Sequence, residues 1–218
     1  MLQTFYIDHM GSDLSVVNAA RVSFGKRSEW NPDWRDDHYE PLLPADSKLI
    51  KYLAKHKHMS PFGHAFASFH VKAPVFVARQ LVKHKFLRWN EISRRYVDSE
   101  PELYVPSEWR GRAEDIKQGS SGEVKVPYLV PHEFNRSALY EYETLLEAGI
   151  CPEQARMVLP QSMMTEWYWS GSLDAFSDMC NLRCKSDTQA ETREVAKQID
   201  LKMIELFPVS WDALTEDE

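Results

Sequence analysis

The chain has 218 residues, 43% of them apolar, enough for one full hydrophobic core and too few for a second, so residues 1–218 are read as a single domain. A formal net charge of −7 excludes the broad basic surface of a duplex-binding protein, and any local basic cluster is expected to meet a small anion. Three cysteines, Cys151, Cys180 and Cys184, exclude a secreted disulfide framework and point to the cytoplasm; the N-terminus carries no signal-peptide pattern, and no window reaches the roughly 20 apolar residues of a membrane span.

In chain order, Leu2 to Ile7 is predicted as a strand and Ser15 to Val22 as a short helix with Val16, Val17, Ala20 and Val22 inward. Between Ser28 and Pro44, prolines and charges around Trp30, Trp34 and Tyr39 predict an extended loop, either a lid or a plain surface loop. Asp46 to Lys55 reads as a helix N-capped by Asp46 and burying Leu49, Ile50 and Leu53. Period-2 alternation predicts a strand over His64 to Val71. Pro74 suits the first turn of the next helix, with Val75, Ala78 and Val82 on one face and Arg79, Gln80, Lys83 and His84 towards the other.

Glu102 to Val105 is expected to be a strand, and Gly111 to Glu123, with its Gly-Ser-Ser-Gly step, a flexible insertion. From Pro131 the pattern turns helical over His132–Glu147, Pro152–Leu159, Met163–Tyr168, Ser172–Cys184 and Gln189–Phe207. Ser186 and Gln189 have capping-box spacing before the last helix, and the acidic tail from Thr215 is expected to fray. Strands mixed with helices early and helices late predict an α+β domain, with a small antiparallel sheet and several long helices.

The segment Lys83 to Tyr96, KHKFLRWNEISRRY, packs five basic side chains, a histidine, a carboxylate, an amide and a serine into one stretch. Planar donors and point cations suit phosphate, whereas an amide, a carboxylate and a hydroxyl suit a sugar or a base edge. Lys83, His84 and Lys85 alone would also fit a solvated helix end. Asn90, Glu91, Ser93, Arg94, Arg95 and Tyr96 beside them favour a nucleotide-like site. Arg156 in ARMVLPQ and Arg183 in NLRCKSD are flanked by apolar residues and need an anionic or carbonyl partner, a ligand or a core carboxylate. Cys180 and Cys184 share a helix face without a second ligand pair, so buried free thiols and no metal site are expected. His56 and His58 stand beside Ser60, where they could line a phosphate or ring edge. With neither GxGxxG nor GxxxxGK[ST] in the chain, a nucleotide cofactor must be held by side chains.

Lys83 to Tyr96 resembles the signature of the flavin-dependent thymidylate synthases, the ThyX family: Arg-His-Arg, seven residues, then Ser, usually with Asn-Glu before it and Arg-Tyr after. The spacing from Lys85 to Ser93 is kept, and Asn90, Glu91, Ser93, Arg95 and Tyr96 match. KHKHMSPFGH, PVFVARQ, ARMVLPQ and NLR fall in family order, so the similarity runs from about His56 to Gln189. The resemblance implies reductive methylation of dUMP to dTMP with FAD as redox carrier, methylenetetrahydrofolate as carbon donor and NADPH as reductant. It also implies a homotetramer with active sites at subunit interfaces, and no nucleic-acid or membrane partner is expected.

Carried over, Gln80, Glu91, Ser93, Arg94, Arg95 and Arg156 would hold dUMP, and Arg183 would face the uracil and stabilise its developing charge. Ser60, Lys83, His84, Lys85 and Glu91 would meet FAD, with Ser172, Asp174 and Asp178 at positions where the family offers Asn and Arg. Lys83 and Lys85 replace family arginines and lose the planar fork. Arg88 or Arg94 is expected to restore it. A competing reading keeps the scaffold without turnover, as a nucleotide or single-strand binder stacking bases on Trp89 and Tyr96; a metal-dependent nucleotide hydrolase is a third.

Overall fold

A computed structural model describes residues 1–32, 42–114, 119–125 and 131–215, of which 131 and 132 by backbone alone. In chain order the elements are β1 (Gln3–Met10), α1 (Asp13–Arg21), α2 (Pro44–Lys55), β2 (Phe66–Pro74), α3 (Val75–Leu81), β3 (Arg88–Glu91), β4 (Arg110–Arg112) and β5 (Ser120–Glu123), followed by α4 (Pro131–Glu147), α5 (Pro152–Ala155), β6 (Met164–Ser172), α6 (Leu173–Arg183), α7 (Ala190–Leu206) and α8 (Pro208–Thr215). Four strands form an antiparallel sheet in the order β1-β2-β6-β3, and β4 pairs with β5 as a separate hairpin. The architecture is the expected single-domain α+β arrangement.

Alternation decides which sheet face is buried. Ala67, Phe69, Val71 and Ala73 of β2 and Trp167, Trp169 and Gly171 of β6 point inward, while Ser68, His70 and Lys72, with Glu166, Tyr168 and Ser170, occupy the other face. On the inner face Trp89 stacks on Trp167 at 4.3 Å, and Phe176 of α6 meets Phe69 and Trp169 edge-on. Val195, Ile199 and Met203 of α7 and Trp211 of α8 complete the core. Asp13 joins the two ends of the chain: its buried carboxylate accepts from the Val209 and Ser210 amides at 3.0 and 2.8 Å and so caps α8.

Several expectations are corrected. Met163–Tyr168, read as a helix, is the start of β6. Its aromatic residues pair on both sides, with β2 and with β3, and inter-strand pairing overrides a short, ambiguous period. Asp46 lies inside α2 behind the N-cap Leu43, fully buried, where it accepts from Arg21 and from the Ser28 hydroxyl. Pro74 ends β2 and is the N-cap of α3 rather than a first-turn residue, and Val82 is 45% exposed instead of inward. Glu102–Val105 makes a single bridge, Leu103 to Met163, and no strand. The 111–123 insertion is a hairpin; its residues 115–118 lie outside the described residues, as do Trp34 and Tyr39 of the expected loop and tail residues 216–218. Gln189 caps α7 through its backbone only, and Arg193 donates to the Ser186 carbonyl, so the capping box is not formed.

Candidate active site

The Lys83–Tyr96 segment follows one edge of the sheet. After α3 the chain turns through Phe86, at φ +64°, and enters β3, whose Arg88 pairs with Ser170 and Glu91 with Trp167. The turn fits because residue 171 is glycine: a Cβ there would stand 2.4 Å from Leu87 Cδ2 and 3.3 Å from the Phe86 carbonyl oxygen. The cationic start of the segment thus lies by the Gly171 end of β6 and Glu91 towards the Thr165 end, with 165 and 172 about 23 Å apart along the strand.

At the Thr165 end, Glu91, Arg94, Arg156 and Thr165 line a cleft of about 270 Å³. Both Glu91 carboxylate oxygens are engaged: Trp89 Nε1 donates to Oε2 at 3.0 Å and Thr165 Oγ1 to Oε1 at 2.6 Å. Arg94 donates to the Ser99 carbonyl at 2.5 Å, and its Nε is buried with no hydrogen-bond partner. Arg156 is exposed at the start of a 3-10 turn and donates to the Glu153 carbonyl at 3.3 Å. Arg95 is exposed, its guanidinium 5.0 Å from the centre of the Tyr96 ring, and its amide donates to Ser93 Oγ at 3.3 Å. Two guanidinium groups facing a fixed carboxylate suit an anion that also carries hydrogen-bond donors.

A second group forms where α3 meets α6 and α7. Arg183 Nε donates to His84 Nε2 at 3.0 Å, which requires a neutral imidazole; burial, with the Arg183 charge, lowers the His84 pKa to about 4. Gln80 Nε2 donates to Gln189 Oε1 at 2.5 Å, Gln189 Nε2 donates to Glu191 Oε2 at 3.1 Å, and Arg110 Nη2 meets Glu191 Oε1 at 2.6 Å. The chain of contacts fixes the Gln80 amide with its carbonyl oxygen left to accept. Burial pushes the Glu191 carboxyl up, but Arg110, the residue's own N–H and Gln189 outweigh it and hold the group below the usual range. Sequence reasoning missed Trp89, Thr165, Gln189, Glu191 and Arg110 as partners; of these contacts only Trp89 to Glu91 and Gln189 to Glu191 are local in the chain, and the others span 74 residues or more.

The other expected residues are dispersed. Ser60 lines a cleft of about 660 Å³ with Arg21, Tyr52 and His58, while Asp174 and Asp178 line one of about 700 Å³ with Lys51, Lys55 and Lys57. Lys83 and Lys85 are exposed, and Ser172 is turned inward at 9% exposure. Burial, with Asp174 beside it, raises the Asp178 carboxyl, partly offset by Lys57. Asp174 stands in the first turn of α6 and Arg183 in its last, roughly 13 Å apart along the axis. One chain therefore brings together Glu91, Arg94 and Arg156, and separately Arg183 and His84, but not the whole expected set. The carboxylate partners considered for Arg156 and Arg183 are not among the ion pairs of the described residues. The stacking reading is weakened, since Trp89 already stacks on Trp167, leaving Tyr96, 75% exposed.

Comparison with known proteins bears on the family and the fold. Residues 6–209 match the family model Thy1, thymidylate synthase complementing protein. The chain is 37% identical over 212 residues to a flavin-dependent thymidylate synthase of Thermus thermophilus, covering 96% of this chain and 74% of that protein. With the enzyme of the same name from Thermotoga neapolitana it shares 38% identity over 208 residues, 95% and 88% of the two chains. The crystal structure of the UMP/dUMP methylase PolB from Streptomyces cacaoi bound with 5-Br dUMP is similar at a TM-score of 0.81 and 31% identity, covering 99% of this chain and 95% of that one. With the motif ordered along the sheet edge, these matches place the chain in the Thy1 family, that of the flavin-dependent thymidylate synthases.

Proposed function

We propose that the chain converts dUMP to dTMP by reductive methylation, with methylenetetrahydrofolate as carbon donor, NADPH as reductant and FAD as cofactor. The observation that carries the reading is the cleft in which Glu91, held by Trp89 and Thr165, faces Arg94 and Arg156. Arg95 and Arg156 grip the nucleotide phosphate, Ser93 donates to it, and Glu91 accepts from the sugar or base. Gln80 offers its oriented carbonyl oxygen to the base.

Arg183 stabilises the negative charge that develops on the pyrimidine as C5 becomes nucleophilic. Because neutral His84 accepts only at Nε, the two Nη groups of Arg183 remain directed elsewhere. No thiol lies in the Glu91 cleft, which agrees with activation by electrostatics rather than by a cysteine adduct.

Asp174 Oδ1 is buried without a partner beside Lys51, Lys55 and Lys57, a donor and acceptor set that fits a ribose hydroxyl next to a diphosphate. The flavin site is accordingly assigned to this cleft, to Ser60 and to the Lys83–Lys85 turn, with Arg88, at the Ser170 end of β3, better placed than Arg94 to restore the missing guanidinium. When bound, FAD supplies the reducing equivalents of the reaction. Since one chain divides the expected residues between separate clefts, the complete site is assigned to a homotetramer in which neighbouring chains share it. The cytoplasm is the proposed location; no helix of the described residues is long and apolar enough to cross a membrane.

The test is release of tritium from C5 of labelled dUMP. Release that needs FAD, methylenetetrahydrofolate and NADPH together is the expected result, and folded, dUMP-binding protein that releases none would refute the reading.

A further inference from the structure

Cys180, Cys184 and Asp200 form a group that no part of the proposed reaction uses. Cys180 and Cys184 are one turn apart at the end of α6, and Asp200 faces them from α7; one ligand atom from each lies within 4.8 Å of the other two. The sequence supplied two thiols without a third ligand, and packing of α7 on α6 provides it. Around a tetrahedral ion with sulfur at about 2.3 Å and oxygen at about 2.0 Å, neighbouring ligand atoms stand roughly 3.5–3.8 Å apart, so a closure of about 1 Å completes the geometry.

The surroundings resemble those of built metal sites. Asp200 Oδ1 accepts from Trp211 Nε1 at 2.8 Å, which orients the carboxylate and leaves Oδ2 for the ion, as outer partners do for metal-bound carboxylates. Cys180 is buried, whereas Cys184 and Asp200 are half-buried.

We propose that Cys180, Cys184 and Asp200 bind a thiophilic divalent cation of the zinc class, with water as the fourth ligand. Arg183 directly precedes Cys184, so occupancy fixes the turn that carries it. Two thiols and a carboxylate select soft or borderline ions over Mg²⁺ or Ca²⁺.

The experiment titrates the intact protein, carrying Cys151→Ser to remove the exposed thiol, with Cd²⁺ and follows thiolate-to-metal charge-transfer absorption in the ultraviolet. The expected result is a band saturating at one ion per chain, displaced by Zn²⁺, with thermal unfolding shifted upward. Cys184→Ser and Asp200→Asn, both near the surface, should each weaken binding by more than the roughly 10- to 100-fold seen when only an outer partner is lost. Trp211→Phe should fall within that range. Absence of the band, or a band unchanged in both folded ligand variants, would overturn the site; if one variant fails to fold, the other decides. The readout needs no turnover, so its outcome is independent of dTMP synthesis.

Discussion

Arg183 illustrates how one side chain is tuned by its neighbour. His84 can accept from Arg183 Nε only while neutral, and its pKa of about 4 keeps it so across the physiological range. Replacing Arg183 with Gln should lower kcat about 100- to 1000-fold, the loss typical of one charge-stabilising donor, with less effect on the KM for dUMP. Steady-state tritium release checks this.

The same histidine predicts a pH dependence of stability. Its folded pKa is depressed from 6.5 to about 4, so the unfolded chain takes up the proton first as pH falls. The stabilisation is complete above about pH 6.5 and is lost between there and about 4. Urea unfolding at pH 7 and pH 5 should show a drop that is smaller in His84→Gln. At Glu91, Trp89→Phe keeps a stacking ring but removes the Nε1 donor. It should raise the KM for dUMP about tenfold, as expected for one hydrogen bond to a charged group, and leave kcat nearly unchanged. Equal KM values in the two proteins would remove Trp89 from the role of positioning Glu91.

At the scale of elements, the seating of the motif depends on one glycine. Gly171→Ala pushes a methyl group into Leu87 and the Phe86 carbonyl, displacing the turn that leads into β3. The expected cost is about 1–3 kcal/mol of stability together with weaker dUMP binding, measured by denaturant unfolding and by calorimetric titration. The same contact explains why this region was poorly legible. A glycine in a strand signals close approach of another backbone, but not which one. The helices α2, α6 and α7 are legible because their apolar spacing is local, whereas the first half of β6 reads as a helix because it is short and its aromatic residues answer to strands on either side. The short helix α8 went unread: its N-terminus is capped by Asp13, 196 residues away from Val209.

At the scale of the whole molecule, the separation of Arg183 and Gln80 from the Glu91 cleft predicts complementation. Arg183→Gln and Glu91→Gln chains, each strongly impaired alone, should regain activity when unfolded and refolded together, with roughly a quarter of the sites intact by random assortment in a symmetric oligomer. Sedimentation should give a mass near four times the 25.4 kDa of one chain. No recovery on mixing would mean that one chain supplies both groups.

The sequence alone determined the family, the single α+β domain and the identity of the charged residues, because signature spacing, core size and net charge are properties of the chain itself. Tertiary structure decided the partners. Thr165 reaches Glu91 across 74 residues, Arg183 reaches His84 across 99 and Gln189 reaches Gln80 across 109. Hydrogen-bond geometry between side chains so far apart in the chain exists only after the sheet edge and the helices α3, α6 and α7 have packed, and no local periodicity encodes it.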